Sequence, residues 1–492
     1  MITWRRLGVI LFACLCGTLY FHNLHKPQAP FWDENYYIAT TERYLNRMAQ
    51  LEPHPPLGLM IIAAGEYVFM ANGDLQTSHL AKERHVLGEQ LPANYSFTGI
   101  RFFPALFGAL SIGVFLALLF NLSGNAWLSG AFSLMLLFEN SFVTHFRAAH
   151  LDSIQLFLTL CALLLFTRLY KRDAETSLSA YLGLATLCTA AMLVKVNSVI
   201  LFAMFPILLR KDRKRLKLFR IKTLIDVYIT KAGISASGVF ITLFAVFFAH
   251  LSLGHHLPDR ATPAGEKTWT NASEVYKDYL DQKRALSVNV VAYVIRDYYN
   301  FMNRDHRGVP KFDPCKAGEN GSHPSSWLLN KKTINYRWDS ADGLTRYVQL
   351  VGNQVNWALG LLGVILSATI VVSVRVLKTS VTDELVYEFI ELLLALYVIF
   401  MVVHLYLSDQ RVMYLYHYFI GLVISILLAG LSLHYVAQVN RVQPNVMRSW
   451  LGLLVAMSLL NFVWLAPLSL HLPLKKEQCQ ARNFLQQVVE CR

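Results

Sequence analysis

Charge is scarce in this 492-residue chain. Asp, Glu, Lys and Arg make up 16% of it, against roughly 25% in soluble globular proteins, while 54% is hydrophobic. Cysteine is scarce as well: seven residues do not make a disulfide framework. Acidic residues fall short of basic ones, 32 against 45, which leaves a net charge of +13. There is no internal repeat and no low-complexity segment. No P-loop, no Rossmann glycine pattern and no Ser-His-Asp signature can be placed. His404, His417, His434 and His471 are scattered without metal-ligand spacing. Together with the long apolar runs, these features exclude a soluble enzyme, a secreted scaffold and a disordered chain, and they argue against direct use of a nucleotide donor.

What the chain does have is long apolar runs. A membrane helix needs about 20 mostly apolar residues. Eleven such segments lie near 5–22, 98–121, 126–146, 150–169, 178–194, 197–210, 231–253, 352–374, 385–407, 412–435 and 449–468. This predicts an all-α polytopic membrane protein. The first run follows Arg5 and Arg6 and has no small-residue cleavage site, so it reads as a retained signal anchor. Orientation follows from Lys and Arg in short loops. With the N-terminus in the cytosol, loops 168–175, 210–226, 375–384 and 440–448 are inside, and all carry basic residues. The second holds Arg210, Lys211, Arg213, Lys214, Arg215, Lys217, Arg220 and Lys222. The basic balance is therefore an orientation signal, not a nucleic-acid surface. Reading 178–210 as one helix would put two basic loops on opposite faces; two short spans turning near Lys195 keep them together. The outside then receives loops 22–97 and 254–350 and the tail 469–492. The division expected is 1–253, an N-terminal membrane module; 254–350, a folded outer loop; and 351–492, a C-terminal membrane module. Pro56 to Ala71 reads as an amphipathic helix at the interface.

Ionisable residues gather on the outer side. Asp33 and Glu34 follow the first span in Phe31-Trp32-Asp33-Glu34. Two solvated loop acids are the plain reading. A general base at the lipid–water boundary is the sharper one, because partial desolvation raises a carboxyl pKa. His54 stands in Glu52-Pro53-His54-Pro55-Pro56, where the prolines stiffen the backbone. Arg101 opens the second span; snorkelling to headgroups is its plain reading. Arg147 and Asp152 flank the next outer turn, either as an ion pair with each other or as functional groups. Lys195 sits in the tight turn, anchored at headgroups or facing a substrate. Glu139 lies deeper and receives no role. Such a cluster suits a substrate with an anionic lipid phosphate and a hydroxyl to be deprotonated.

In order, these residues resemble the protein O-mannosyltransferases, polyprenyl-phosphate-mannose-dependent glycosyltransferases of the GT-C fold class. The matching segments are Asp33-Glu34, His54-Pro55-Pro56-Leu57, Gly99-Ile100-Arg101-Phe102, Leu151-Asp152-Ser153, Lys195, His323-Pro324-Ser325-Ser326-Trp327 with Tyr336 and Trp338, and Tyr416-His417-Tyr418-Phe419. Two features depart from the family pattern. Leu59 stands where a Lys often follows His-Pro-Pro-Leu, and the 254–350 loop is shorter than in eukaryotic members, like a bacterial form. The resemblance implies an inverting single displacement by a Ser or Thr hydroxyl of a secreted or membrane protein on a polyprenyl-phosphate-linked sugar. It makes Asp33 the base and Glu34 its neighbour in the catalytic pair. It gives Arg101 and Lys195 the donor phosphate. His54, Arg147, Asp152, His323, Trp327, Tyr336, Trp338 and His417 become substrate-positioning residues. No redox cofactor is implied; a divalent cation is compatible with a carboxylate–phosphate site but not required. The implied location is a bacterial inner membrane with the site on the extracytoplasmic face. A lipid or glycan acceptor, as in the lipid A aminoarabinose transferases, and a lipid-linked sugar transporter stay open. An oxidising compartment would permit a bridge between Cys479 and Cys491.

Overall fold

A computed structural model describes residues 4–216, 221–316, 318–483 and 491. Lys217 and Arg220 of the basic loop, and most of the tail beyond Asn483, lie outside the described residues. The first half runs through α1 (Trp4–Phe21), α2 (Glu34–Leu45), α3 (Pro56–Phe69), α4 (Thr98–Ser123), α5 (Ala126–Leu137), α6 (Asn140–Phe146), α7 (Asp152–Lys171), α8 (Leu178–Met192), α9 (Met204–Leu216) and α10 (Ile221–Leu253). The second half holds α11 (Pro263–Asn271), α12 (Glu274–Leu280), α13 (Val288–Gly308), α14 (Pro324–Trp327), strands β1 (Ile334–Ala341) and β2 (Leu344–Leu350), α15 (Gln354–Arg375), α16 (Glu384–Ser408), α17 (Phe419–Val439), α18 (Pro444–Ser469), β3 (Pro473–Leu474) and α19 (Lys476–Gln480).

The eleven expected spans are not equal. Among the described residues seven helices are long and apolar enough to cross a bilayer, and eight if α5 and α6, bent by 59°, count as one. The apolar part of α1 (Ile10–Phe21) and helix α8 are shorter. The 197–210 run is no single span: it splits into a 3₁₀ stretch, Val196–Ala203, and α9, which continues into basic residues. Several helices open on residues that satisfy the orphan backbone donors of a first turn. Asn125, Ser177, Asn353 and Asp383 accept from the N–H groups of Leu128, Ala180, Val355 and Val386.

The chain forms two compact units, neither continuous in sequence. Unit 1 is Met1–His22, Ala109–Phe146 and Val309–Arg492; unit 2 is Asn23–Gly108 and Arg147–Gly308. The stretch 254–350 is divided between the two. Its first part packs Tyr276, Val290, Val294 and Tyr298 against Leu51, Leu193, Phe247 and Leu251 of unit 2. Its second part belongs to unit 1. There Asp342-Gly343, both at positive φ, turn β1 into antiparallel β2, and β3 joins the other edge of β2. Cys479 and Cys491 are disulfide-bonded beside Tyr347, Leu465, Leu468 and Leu474.

Unit 1 is built around α17, fifteen of whose 21 residues are buried. In a membrane, helix association rests on close packing of small residues, since lipid tails are as apolar as leucine. A side chain on Gly360 would meet the Ser425 hydroxyl 2.5 Å away, and one on Gly363 would meet Ala429 at 2.5 Å. The Ser367 and Ser432 hydroxyls hydrogen-bond at 2.7 Å one turn further on. The break between α5 and α6 is satisfied from α15: the Glu139 carboxylate accepts from the Asn353 N–H (2.9 Å) and Asn356 Nδ2 (3.0 Å), and Asn353 Nδ2 donates to the Phe138 carbonyl (2.8 Å). Freed backbone groups at membrane depth are tolerated only when other protein groups bind them.

In unit 2 the sidedness question has a geometric answer. Asp212 on α9 accepts from the Thr176 N–H (3.2 Å) and hydroxyl (3.0 Å), the Tyr181 hydroxyl (2.9 Å) and Lys231 (2.8 Å); Lys231 also reaches Glu175 at 2.9 Å. The basic loops 168–175 and 210–226 therefore meet. One continuous helix over 178–210 would have separated them. Pro56–Phe69 is a helix but not an amphipathic one: Leu59, Ile62 and Ala63 enter the core, and the outward residues Tyr67, Val68 and Phe69 are apolar too.

Replacing Gly363 with Leu should destabilise the purified protein by about 1–3 kcal/mol, the usual cost of overpacking. Thermal melting in detergent reads it, with Gly452→Leu as an unchanged control because nothing lies within 4 Å of that position.

Candidate active site

Unit 2 brings together seven of the residues singled out in the sequence. The organising contact is between α4 and the start of α2. Arg101 and Glu34 are both fully buried. Arg101 Nε donates to Glu34 Oε1 (2.7 Å) and Nη2 to Oε2 (2.8 Å). Nη1 donates to the carbonyls of Leu24 (3.2 Å) and Pro27 (2.9 Å), and Nη2 also to that of Ala29 (3.2 Å). A guanidinium has five N–H donors, and all five are used inside the protein. Its plane also lies over the Phe97 ring, 4.5 Å from the centroid. Glu34 is equally satisfied, accepting in addition from the N–H groups of Phe31 (3.2 Å) and Ala149 (2.9 Å). Every donor of Arg101 and every carboxylate lone pair of Glu34 is thus taken within the protein. Together they clamp the loop 24–34, the first turn of α4 and the segment before α7.

The clamp presents Asp33. It occupies the cap position of α2, where its carbonyl accepts from the N–H groups of Tyr36 (3.0 Å) and Tyr37 (3.3 Å). The residue before it, Trp32, has φ 53°, a left-handed conformation rarely adopted by a bulky side chain. Strain of this kind persists where surrounding structure over-determines it, and it gathers at functional sites. Asp33 is half-buried. Desolvation pushes its carboxyl pKa up to about 6; Lys195 pulls it down and Asp152 pushes it up.

Lys195 and Asp152 form the second charged pair, Nζ to Oδ1 at 2.7 Å, each side chain about nine-tenths buried. Asp152 begins α7, where a negative charge suits the helix dipole. Lys195 lies in the turn after α8, and the Leu193 carbonyl of that turn accepts from the Leu57 N–H (3.2 Å). The His54-Pro55-Pro56 segment is thereby tied to the Lys195 turn. Leu59, where the family pattern often has Lys, is buried in the core with Tyr37, Leu151 and Val194. Arg147 is half-buried in the segment leading to Asp152.

Sequence reasoning gave no role to His150, Gln155, Asn197 or Ser198. His150 is buried, with its ring edge-on to Phe31 (5.9 Å) and Tyr37 (6.5 Å). Gln155 Nε2, one turn after Asp152, donates to Asn197 Oδ1 (2.5 Å) and Ser198 Oγ (2.7 Å) on the far side of the Lys195 turn. His150 lies two positions before Asp152, and Asn197 two after Lys195; that adjacency was the available signal.

The remaining five residues lie in unit 1. Trp327 is wholly buried; its Nε1 donates to Ser322 Oγ (2.8 Å) and its ring stacks on His417 (6.5 Å). His417 stacks on Tyr416 (4.6 Å), Tyr416 on His145 (5.0 Å), and His145 Nδ1 hydrogen-bonds the Tyr336 hydroxyl (2.7 Å). Trp327 and Tyr336, both buried, stand at the two ends of this aromatic chain. His323, which caps α14, and Trp338, 37% exposed on β1, keep accessible surface. Among the described residues no group of three or more His, Cys, Asp or Glu side chains is placed to hold a metal ion.

The solved structures that resemble this chain are membrane glycosyltransferases. The S. cerevisiae protein O-mannosyltransferase Pmt1-Pmt2 complex bound to the sugar donor superposes with a TM-score of 0.79 at 14% identity, over 100% of this chain and 94% of that one. Archaeal oligosaccharyltransferase AglB from Archaeoglobus fulgidus gives 0.51 at 13%, over 99% and 60%. The fold is thus that of a polytopic GT-C membrane protein. Two family profiles match in succession, dolichyl-phosphate-mannose-protein mannosyltransferase over residues 10–253 and the C-terminal four-TMM region of protein-O-mannosyltransferase over 302–488. The chain belongs to the protein O-mannosyltransferase family. Protein O-mannosyl-transferase 1 of Danio rerio is 27% identical over 168 residues, 34% of this chain and 22% of that protein. The match thus spans about a fifth of that relative's length.

Removing the Arg101 side chain as Arg101→Met leaves Glu34 as an unpaired buried carboxylate. That should cost about 3–5 kcal/mol, seen as a large fall in melting temperature in detergent. Arg101→Lys should recover only part of it, because an ammonium cannot form the two-pronged contact. An undisturbed melt for Arg101→Met would contradict the structural assignment.

Proposed function

We propose that this protein transfers mannose, or a closely related sugar, from a polyprenyl phosphate to Ser or Thr hydroxyls of translocated proteins. The observation that carries the reading is Asp33, half-buried on a clamped and strained turn beside the Lys195–Asp152 pair, with its pKa raised to about 6. A carboxylate raised toward neutrality is a better base at physiological pH than an ordinary one. In the reaction the acceptor oxygen bonds to the anomeric carbon, the bond from that carbon to the phosphate oxygen breaks, and configuration inverts. The hydroxyl proton goes to Asp33, and polyprenyl phosphate leaves with the electron pair. A phosphate needs no general acid, but it does need its charge stabilised. Lys195, held by Asp152, takes the role that the buried Arg101 cannot. Arg147 and His54 enter from segments tied to the same turns. Within unit 1, His323 and Trp338 are the accessible candidates for holding substrate, with His417 held by Trp327. The protein sits in a bacterial inner membrane with Asp33 on the extracytoplasmic face, in keeping with the basic loops 168–175 and 210–226 lying together. The names of the similar proteins support donor and acceptor alike.

In an assay with radiolabelled polyprenyl-phosphate mannose and a Ser/Thr-rich peptide, Asp33→Asn should lower transfer by about 10²–10⁴-fold with an unchanged melting temperature. Full transfer by that variant would remove Asp33 as the base. Transfer to a lipid extract but not to peptide would redirect the acceptor.

Asp33 must be ionised to act, so the rate should fall as pH drops through about 6. Lys195 lowers the Asp33 pKa, so Lys195→Gln should move this acid limb to higher pH as well as weaken turnover. A limb that stays in place would mean that another group titrates.

A further inference from the structure

Unit 1 contains a polar cleft built from four helix ends. It has a volume of about 610 Å³ and lies where α4 and α17 finish and α5 and α18 begin. Its basic side chains are Arg441, Arg448 and His434. Among the described residues neither arginine makes an ion pair, and no acidic side chain lines the cleft. Asp383 nearby is engaged as the cap of α16 and by Gln438 (3.4 Å). Two helix N-termini add positive dipole ends. That of α5 is capped by Asn125, whereas Gln443 makes no side-chain cap on α18. Arg448 lies over the Trp127 ring at 5.2 Å. Met447 and Leu451 supply an apolar wall.

The cleft is at the level where long apolar helices end. Trp127 is 64% exposed in the first turn of α5, and Trp450 is 46% exposed early in α18. Indole rings at helix ends mark the headgroup level of a bilayer. Basic pockets between membrane helices at that level suit anionic lipid headgroups. We infer that the cleft binds the phosphate of an anionic phospholipid between Arg441 and Arg448, with the acyl chains running down the apolar wall. This rests on the membrane reading alone and not on the transferase reading.

The test offers the purified full chain an equimolar mixture of phosphatidylglycerol and phosphatidylcholine in detergent and counts retained lipid by native mass spectrometry. Phosphatidylglycerol should be retained preferentially. The double variant Arg441→Gln, Arg448→Gln should reduce its retention about thirtyfold, the size expected for two basic side chains at a membrane surface. The Lys pair at the same positions should keep most of it. Unchanged retention by the Gln pair overturns the proposal. So does equal competition by glycerol phosphate, which would make the cleft a soluble phosphate site. Should the Gln pair fold poorly, brominated phosphatidylglycerol provides the check on unaltered arginines. It should quench the fluorescence that distinguishes the wild type from Trp127→Phe, and brominated phosphatidylcholine should not. Equal quenching by both lipids overturns the assignment.

Discussion

A guanidinium without solvent access and a carboxylate without solvent access face each other across two hydrogen bonds, Arg101 to Glu34, and the site in unit 2 is arranged around them. Desolvating two charges is costly, and their attraction recovers that cost only when the geometry is good and every other donor and acceptor is filled. Here it is. The remaining guanidinium protons go to three carbonyls of the loop 24–29, and the carboxylate also takes the N–H groups of Phe31 and Ala149. Three chain segments are pinned by one pair. The pinned loop then has little freedom at Trp32 and Asp33, which is how a bulky residue comes to be held at positive φ.

From that clamp the environment of each neighbouring charge follows by position. Glu34 is inward and neutralised; Asp33, its neighbour, is half-buried without such compensation, and its pKa rises. Two adjacent carboxylates thereby receive opposite environments. The Lys195–Asp152 pair is the second fixed point. Its two residues start one helix and follow another, and Gln155, Asn197 and Ser198 bind the same turns to each other. Unit 1 uses different means. A seam of Gly, Ala and Ser joins α15 to α17, and the broken α5–α6 passage is sealed by Asn353 and Glu139.

Much of this was legible in the residues. Apolar run lengths located the helices, because a bilayer admits little else. The Asp-Glu pair, the Arg at the start of α4, Leu-Asp-Ser and the lone Lys marked the segments that meet in unit 2. The number of full-length spans was less legible. Hydropathy does not distinguish a straight helix from a 3₁₀ stretch running into a basic one, as at 196–216. The outer loop 254–350 looked like one body by composition, yet its halves have different packing partners.

By itself, then, the sequence determined the solvent, the helical class, the sidedness signal and the set of residues worth watching, since each of these depends on local composition and spacing. Only the tertiary structure decided their surroundings. Whether an arginine can bind a phosphate depends on how many of its five donors are already taken, and those partners come from Leu24, Pro27, Ala29 and Glu34, more than 60 positions away. Whether Asp33 or Glu34 keeps solvent access depends on which one is buried against a cation. Such facts belong to contacts between distant segments, and no spacing along the chain encodes them.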